Sequence, residues 1–371
     1  MGKSKILVTQ PAIPPLEEFI PYLEKIWDNK WLTNNGPFHQ QFEKDLANYL
    51  GVEYISVFSN GTLALLTALQ TLNLSGEVIT TPFSFVATTH SLWWNRLKPV
   101  FVDIEENGFN MDPEKIESAI TPETTAIMPV HVYGYPCNVE EIERIANKHG
   151  LKVIYDAAHA FGVKKDGQSI LKWGDLSILS FHATKVFNTI EGGAIICHDL
   201  KTKQRIDSLK NFGFLSEEVI SEPGINAKMN ELQAAYGSLQ LKHVDHYIQK
   251  REEIVSLYNK TLADVEGITI PKAIENISHV YPYYPILVNT DIYGISRDQL
   301  YLKLQEEGIF SRRYFYPLIS EFSIYQDIPS AGIDNLPVAS RISKEVICLP
   351  IYPELTVNDV ERICSVIKGI R

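Results

Sequence analysis

The stretch SILSFHATKVFNTIEGGA, Ser177 to Ala194, opens as an apolar run of strand type and closes on Gly192-Gly193. Between the two, Lys185 sits among small hydroxyl and amide residues, Thr184, Asn188 and Thr189. Taken alone, a lysine in such a loop is explained as a solvated surface side chain. It also fits an amine held against a carbonyl cofactor as a Schiff base, made nucleophilic when partial desolvation lowers its pKa. What else the chain places at strand ends decides between the two.

Short β-rich runs recur on both sides of that stretch, at Tyr54–Ser59, Glu77–Thr81, Val100–Asp103, Thr125–Val130, Lys152–Tyr155, Leu176–Phe181 and Ala194–Cys197. Helical patterns separate the early ones, at Leu63–Leu72, Pro113–Ile120 and Val139–His149. Strands alternating with helices predict an α/β fold with a mostly parallel seven-stranded sheet covered on both faces. The link between the last two runs is too short for a crossover helix, so one strand is expected to run antiparallel. Ahead of the sheet come helices over Leu16–Asn29 and Phe38–Leu50, joined by the turn-forming loop WLTNNGP, Trp31 to Pro37. Beyond about Asn230 the texture changes. A long amphipathic pattern, Glu231–Leu262, leads to a strand near Pro285–Val288, a helix over Ser296–Glu307 and a closing helix over Thr356–Ile370. The division expected is a large α/β domain over 1–240 and a smaller α+β C-terminal domain over 241–371.

Composition narrows the function. The 371 residues carry a formal net charge of −11, which argues against a nucleic-acid or anionic-membrane binder. Any phosphate must be held by local devices. The four cysteines, Cys137, Cys197, Cys348 and Cys364, have no metal-type spacing, so no metal is expected and the thiols read as reduced. No apolar run has the length of a membrane span and no signal-type apolar segment opens the chain, which gives a cytoplasmic expectation.

Open α/β sheets bind ligands beyond the carboxyl ends of their strands. After the first run comes Ser59-Asn60-Gly61-Thr62 at a helix start, where Gly61 allows close backbone approach and free N–H groups suit a phosphate; an ordinary helix cap explains it equally. After the second comes Phe85, able to stack on a flat ring or to serve as core. After the fifth comes Asp156-Ala157-Ala158-His159. An acid ending an apolar strand needs a partner, and a protonated ring nitrogen would be one; a helix cap is the plainer reading. After the sixth come Ser180 and Lys185. Together these supply a phosphate cradle (Gly61, Thr62, Ser180), a stacking face (Phe85), a pyridinium partner (Asp156) and an amine (Lys185), the parts that pyridoxal 5'-phosphate requires.

On these motifs, with PFSFVAT at Pro82–Thr88 and NAKMNELQAA at Asn226–Ala235, the chain resembles the DegT/DnrJ/EryC1/StrS family of nucleotide-sugar aminotransferases along nearly its whole length. The resemblance implies the aspartate aminotransferase-like fold type I. It makes Lys185 the Schiff-base lysine, Asp156 the partner of the pyridine nitrogen and His159 a ring lying against the cofactor. Gly61, Thr62 and Ser180 would hold the phosphate, and Asn230 would reach the phosphate of a neighbouring subunit in a homodimer with shared sites. Arg312, Arg313 and Tyr314 stand where the family meets its nucleotide-sugar. The S-F-H-x-x-K pattern followed by E-G-G, together with Thr33 and Asn34-Asn35, resembles members that take L-glutamate as donor and aminate C4 of dTDP-4-keto-6-deoxyglucose. Rival readings fare worse. Sugar 3-dehydratases of the family carry histidine where this chain has Lys185, a scaffold would not need the intact set, and a nicotinamide dehydrogenase would show G-x-G-x-x-G after its first strand.

Overall fold

The computed structural model describes residues 4–369. Among them, seven strands form the main sheet: β1 (Tyr54–Phe58), β2 (Glu77–Thr80), β3 (Lys98–Phe101), β4 (Thr124–Met128), β5 (Lys152–Asp156), β6 (Leu176–Ser180) and β7 (Gly193–Cys197). Their spatial order is β1-β7-β6-β5-β4-β2-β3. All neighbours are parallel except the two pairs that β7 makes, with β1 and β6. The expected mostly parallel sheet with one reversed strand is therefore present. Because β7 runs backwards, its first residue, Gly193, lies level with the last residues of its neighbours, Phe58 and Ser180.

The sheet is buried on both faces. One core holds Phe42, Leu46, Val57, Ile127, Phe181 and Phe187, and the other holds Phe58, Leu65, Val78, Met128 and Ile178. Successive residues of a strand point to opposite faces, so these apolar runs read as continuous rather than alternating. Helix α1 (Leu16–Asn29) and helix α2 (Pro37–Leu50) precede the sheet, with Phe42, Leu46 and Leu50 forming the buried stripe of α2. Helix α3 (Gly61–Thr71) follows β1, and helix α4 (Ala87–Trp94), which the sequence pattern does not announce, follows β2.

Two expectations about helices are corrected. Pro113–Ile120 is two short 3₁₀ turns, Pro113–Lys115 and Glu117–Ala119, instead of one α-helix. The long pattern Glu231–Leu262 is two helices, α5 (Glu231–Gln240) and α6 (Val244–Leu262). At the break, Lys242 bonds Leu239 and His243 bonds Gln240, the three-residue reach that tightens and ends an α-helix. Gln240 is also held, its side-chain amide donating to the carbonyl of Ala12 at 2.7 Å and the hydroxyl of Tyr236 at 2.9 Å.

The break redirects α6 into a third core, where Tyr258 and Leu262 meet Tyr284, Ile286, Leu300, Ile347 and Ile363, with Ile6 from the N-terminal segment. A three-stranded antiparallel sheet, Ile268–Thr269, Tyr284–Val288 and Val346–Leu349, underlies that core. The closing helix runs Val357–Lys368 with Thr356 as its cap; Ile370, its expected end, lies outside the described residues.

Candidate active site

The lysine loop is the link between β6 and β7. It is tied at its neck by two backbone bonds, Phe181 N–H to the Gly192 carbonyl at 2.8 Å and Thr189 N–H to the Phe181 carbonyl at 2.9 Å. Phe187 anchors it from below, its ring parallel to Phe161 at a centroid distance of 4.4 Å. The glycine pair has no room for side chains. A Cβ at Gly192 would sit 2.0 Å from Thr189 Oγ1, and one at Gly193 would sit 2.7 Å from the Cα of Gly61. The loop holds Lys185 half-buried. Desolvation lowers the Lys185 pKa to about 8, while the negative charge of Asp156 pulls the other way.

Directly across the strand ends, Asn60 caps α3, its side-chain oxygen accepting from Leu63 N–H at 2.9 Å. The N–H groups of the helix's first residues, Gly61 and Thr62, have no partner within the helix. Ser180, the last residue of β6, closes the other side so tightly that a Cβ on Gly61 would lie 3.0 Å from its own. The result is a small cradle with open N–H donors at a helix start, suited to an anion.

Asp156 ends β5 and is 4% exposed. Its Oδ2 accepts from the Thr88 hydroxyl at 2.7 Å and its Oδ1 from Ala158 N–H at 3.1 Å. Burial pushes its pKa up, against those two bonds and the charge of Lys185. His159, three residues on, is buried, and desolvation holds its pKa well below the ordinary value, with Lys185 acting in the same direction. Its ring lies parallel to Phe315, 6.1 Å away, and edge-on to Tyr283, 4.9 Å away.

Gly61, Thr62, Phe85, Asp156, His159, Ser180, Lys185, Arg312 and Tyr314 all line one cavity of about 800 Å³. Phe85 is 58% exposed, an apolar ring presented to the opening where a core phenylalanine would be covered. The other expected residues lie elsewhere. Asn34 borders a different cavity, beside Asn35 and Lys228. Thr33 is an exposed loop residue whose carbonyl accepts from the Trp31 indole N–H at 2.5 Å. Asn230 caps α5, its oxygen taken by Gln233 N–H at 2.9 Å. Arg313 pairs with Asp298 at 2.9 Å and stacks over Tyr301 at 4.8 Å. Sequence reasoning missed Ser84, Thr88, His182, Glu191 and Tyr283, which line the cavity too. Ser84 and Thr88 stand inside the quoted PFSFVAT motif. Tyr283 stands just before the strand Tyr284–Val288 of the second sheet, and nothing in its local sequence marks it.

These residues fit pyridoxal phosphate. Open N–H donors meet the need of a phosphate, and an exposed ring meets that of a flat heterocycle. A buried carboxylate suits a protonated ring nitrogen, and a lysine of depressed pKa suits an aldehyde.

Comparison with known proteins agrees. The family model described as the DegT/DnrJ/EryC1/StrS aminotransferase family matches residues 16–368. The chain is 54% identical over 370 residues, 100% of both chains, to the dTDP-4-amino-4,6-dideoxy-D-glucose transaminase of Escherichia coli. The crystal structure of DesI with its TDP-sugar product superposes with a TM-score of 0.94 at 33% identity, covering 98% of this chain and 92% of that one. A Streptococcus pneumoniae protein in a PLP form superposes with a TM-score of 0.91 at 25% identity, covering 99% and 98%. The α/β architecture with its mostly parallel central sheet is of fold type I, and the chain belongs to the DegT/DnrJ/EryC1/StrS family of pyridoxal phosphate-dependent aminotransferases.

Proposed function

We propose that this enzyme moves an amine from L-glutamate to C4 of dTDP-4-keto-6-deoxy-D-glucose, giving dTDP-4-amino-4,6-dideoxy-D-glucose. The observation that carries the reading is the 54% identity along the whole chain to a transaminase named for that product. The product is a precursor of the kind used in bacterial O-antigen and lipopolysaccharide sugars, and the reaction belongs in the cytoplasm. No helix among the described residues is long and apolar enough to cross a membrane.

Pyridoxal phosphate, when bound, supplies an electron sink for the carbanion left by breaking a Cα–H bond and stores the amine between half-reactions. The chain's own residues do the rest. Lys185 Nζ would hold the cofactor and, once displaced by the amino donor, would move a proton from the donor's α-carbon to the cofactor carbon, as base and then as acid. A pKa of about 8 leaves a working fraction of free amine at neutral pH. Asp156 keeps the ring nitrogen protonated. Gly61, Thr62 and Ser180 hold the phosphate, and Phe85 and His159 contact the ring. Arg312 and Tyr314, which line the cavity, meet the nucleotide-sugar.

The working unit in this reading is a homodimer, with Asn230 of one protomer reaching the phosphate site of its partner. Support comes from the exposed apolar side chains of Phe212, Phe214, Leu215, Val219 and Ile220, a patch in need of cover, close to Asn230 in the chain. Residues 1–240 and 241–371 act as its two domains.

The test is direct. Purified enzyme is incubated with L-glutamate and dTDP-4-keto-6-deoxy-D-glucose, and the product is examined by NMR. An equatorial C4 amine is expected. An axial C4 amine would replace this reading with the galacto product, and a reaction only after 3,4-keto isomerisation would replace it with C3 amination.

A further inference from the structure

The PFSFVAT motif contributes more than an exposed phenylalanine. Ser84 Oγ lies 2.9 Å from Thr88 Oγ1, and Thr88 Oγ1 lies 2.7 Å from Asp156 Oδ2. All three are buried, at 5%, 1% and 4% exposure. An ionised carboxylate only accepts, so the single Thr88 proton goes to Asp156. Thr88 oxygen is then left as acceptor, and the Ser84 proton must point at it. The chain of hydroxyls is thus polarised in one direction, toward Asp156. Such chains strengthen their own links, by about 10–30% per bond. With Ala158 N–H on Oδ1 at 3.1 Å, each carboxylate oxygen accepts a hydrogen bond, and both bonds favour the ionised form against burial.

We propose that Thr88, oriented by Ser84, is a positioning residue that keeps Asp156 ionised and aimed at the cofactor's ring nitrogen. The proposal rests on the reading of Asp156 given above. Burial opposes ionisation of Asp156, and the Thr88 bond is the largest influence acting against it. The other titratable groups around the carboxylate are accounted for. Lys185, from the loop after β6, favours its charge. His159, from the turn after β5, and His131, from the turn after β4, are both held neutral by burial. The His131 ring lies flat on Tyr155 at 4.7 Å.

The experiment follows the ring nitrogen itself. Holoenzyme is reconstituted with ring-15N pyridoxal phosphate, and the nitrogen's chemical shift is titrated with pH in wild type, Thr88→Val, Thr88→Ser, Ser84→Ala and Asp156→Asn. Thr88→Val should lower the midpoint for losing the ring proton by about one unit, a tenfold change in that equilibrium, with a matching loss in kcat. Thr88→Ser, which keeps the hydroxyl, should return both to wild-type values. Ser84→Ala should shift the midpoint the same way by less, and it decides the matter alone if Thr88→Val does not fold. Unchanged midpoints in Thr88→Val, or in Ser84→Ala where that variant decides, would overturn the proposal. Asp156→Asn separates the layers. A shift there without one in Thr88→Val removes only Thr88's role, while no shift in Asp156→Asn removes the pairing of Asp156 with the ring as well.

Discussion

The backbone N–H of Tyr133 donates to Nδ1 of His159 across 3.2 Å. A ring nitrogen that accepts carries no proton, so the one proton of the neutral imidazole sits on Nε2. With its pKa held well below the ordinary value by burial, His159 stays uncharged through the working range and presents a flat, neutral plane. His159→Gln should therefore leave the midpoints of the kcat/KM pH profile unmoved, with the rate down by less than about tenfold. His159→Ala, which removes the plane, should weaken cofactor binding by more. Loss of an acidic limb in the Gln variant would show that His159 titrates after all.

Lys185 should reveal its pKa by chemistry. In cofactor-free protein, only the free amine reacts with an acylating reagent. A pKa lowered to about 8 means that labelling of Lys185 rises with pH through about 8, where ordinary lysines respond near 10.4. Mass spectrometry of the labelled peptide across a pH series reads this directly. A midpoint near 10 would mean that the amine is not desolvated, and Asp156→Asn, by removing the opposing charge, should move the midpoint lower still.

The contact between Gly193 and Gly61 is backbone against backbone, so neither side can yield by rotating a side chain. Gly193→Ala should cost about 1–3 kcal/mol in denaturant unfolding, and cofactor affinity should fall with it. Gly61→Ala meets Ser180 at 3.0 Å, a softer collision, and should cost less stability. Equal stability of Gly193→Ala and wild type in urea melts would refute the close approach.

The two neighbouring arginines should behave differently. Arg312 lines the cavity, whereas the guanidinium of Arg313 is spent on Asp298 and Tyr301. Arg312→Ala should raise the nucleotide-sugar KM by roughly tenfold or more, the scale of one charge-assisted contact. Arg313→Ala should change it by no more than about threefold. Steady-state kinetics with the sugar as varied substrate distinguishes them, and a reversed order would place Arg313 at the ligand.

The sheet was legible because its strands are buried on both faces and so appear as unbroken apolar runs, the strands themselves ending at Phe58, Asp156 and Ser180. Strand ends then led to the cavity, since Gly61, Asp156, Ser180 and Lys185 all follow or close a run. Less could be read where structure depends on distant partners. No glycine or proline marks the turn at Leu241-Lys242-His243 that splits α5 from α6; α6 starts in the sheet core at Val244 and carries Ile254, Tyr258 and Leu262 into the C-terminal one. Tyr283 and Phe315 reach the cavity from the far end of the chain, and local pattern carries no trace of that. Asn34, expected at the substrate from the family resemblance, borders a different cavity within this chain, and its loop leads into the start of α2, which is held to α5. There Glu231 accepts the N–H groups of Phe38 and His39 at 2.8 Å each.

The reversed strand β7 also sets a schedule. The cradle at Gly61 is synthesised early, but it is completed only when Gly193 arrives between Phe58 and Ser180, and that pairing is among the most distant in the sheet. Contacts so far apart in sequence are slow to close. Until β7 docks, β1 has no neighbour in the sheet and the lysine loop has no neck. Capacity to take up cofactor should therefore appear last, as the finishing event of the α/β half, and cofactor uptake during refolding would time the moment at which that half is complete.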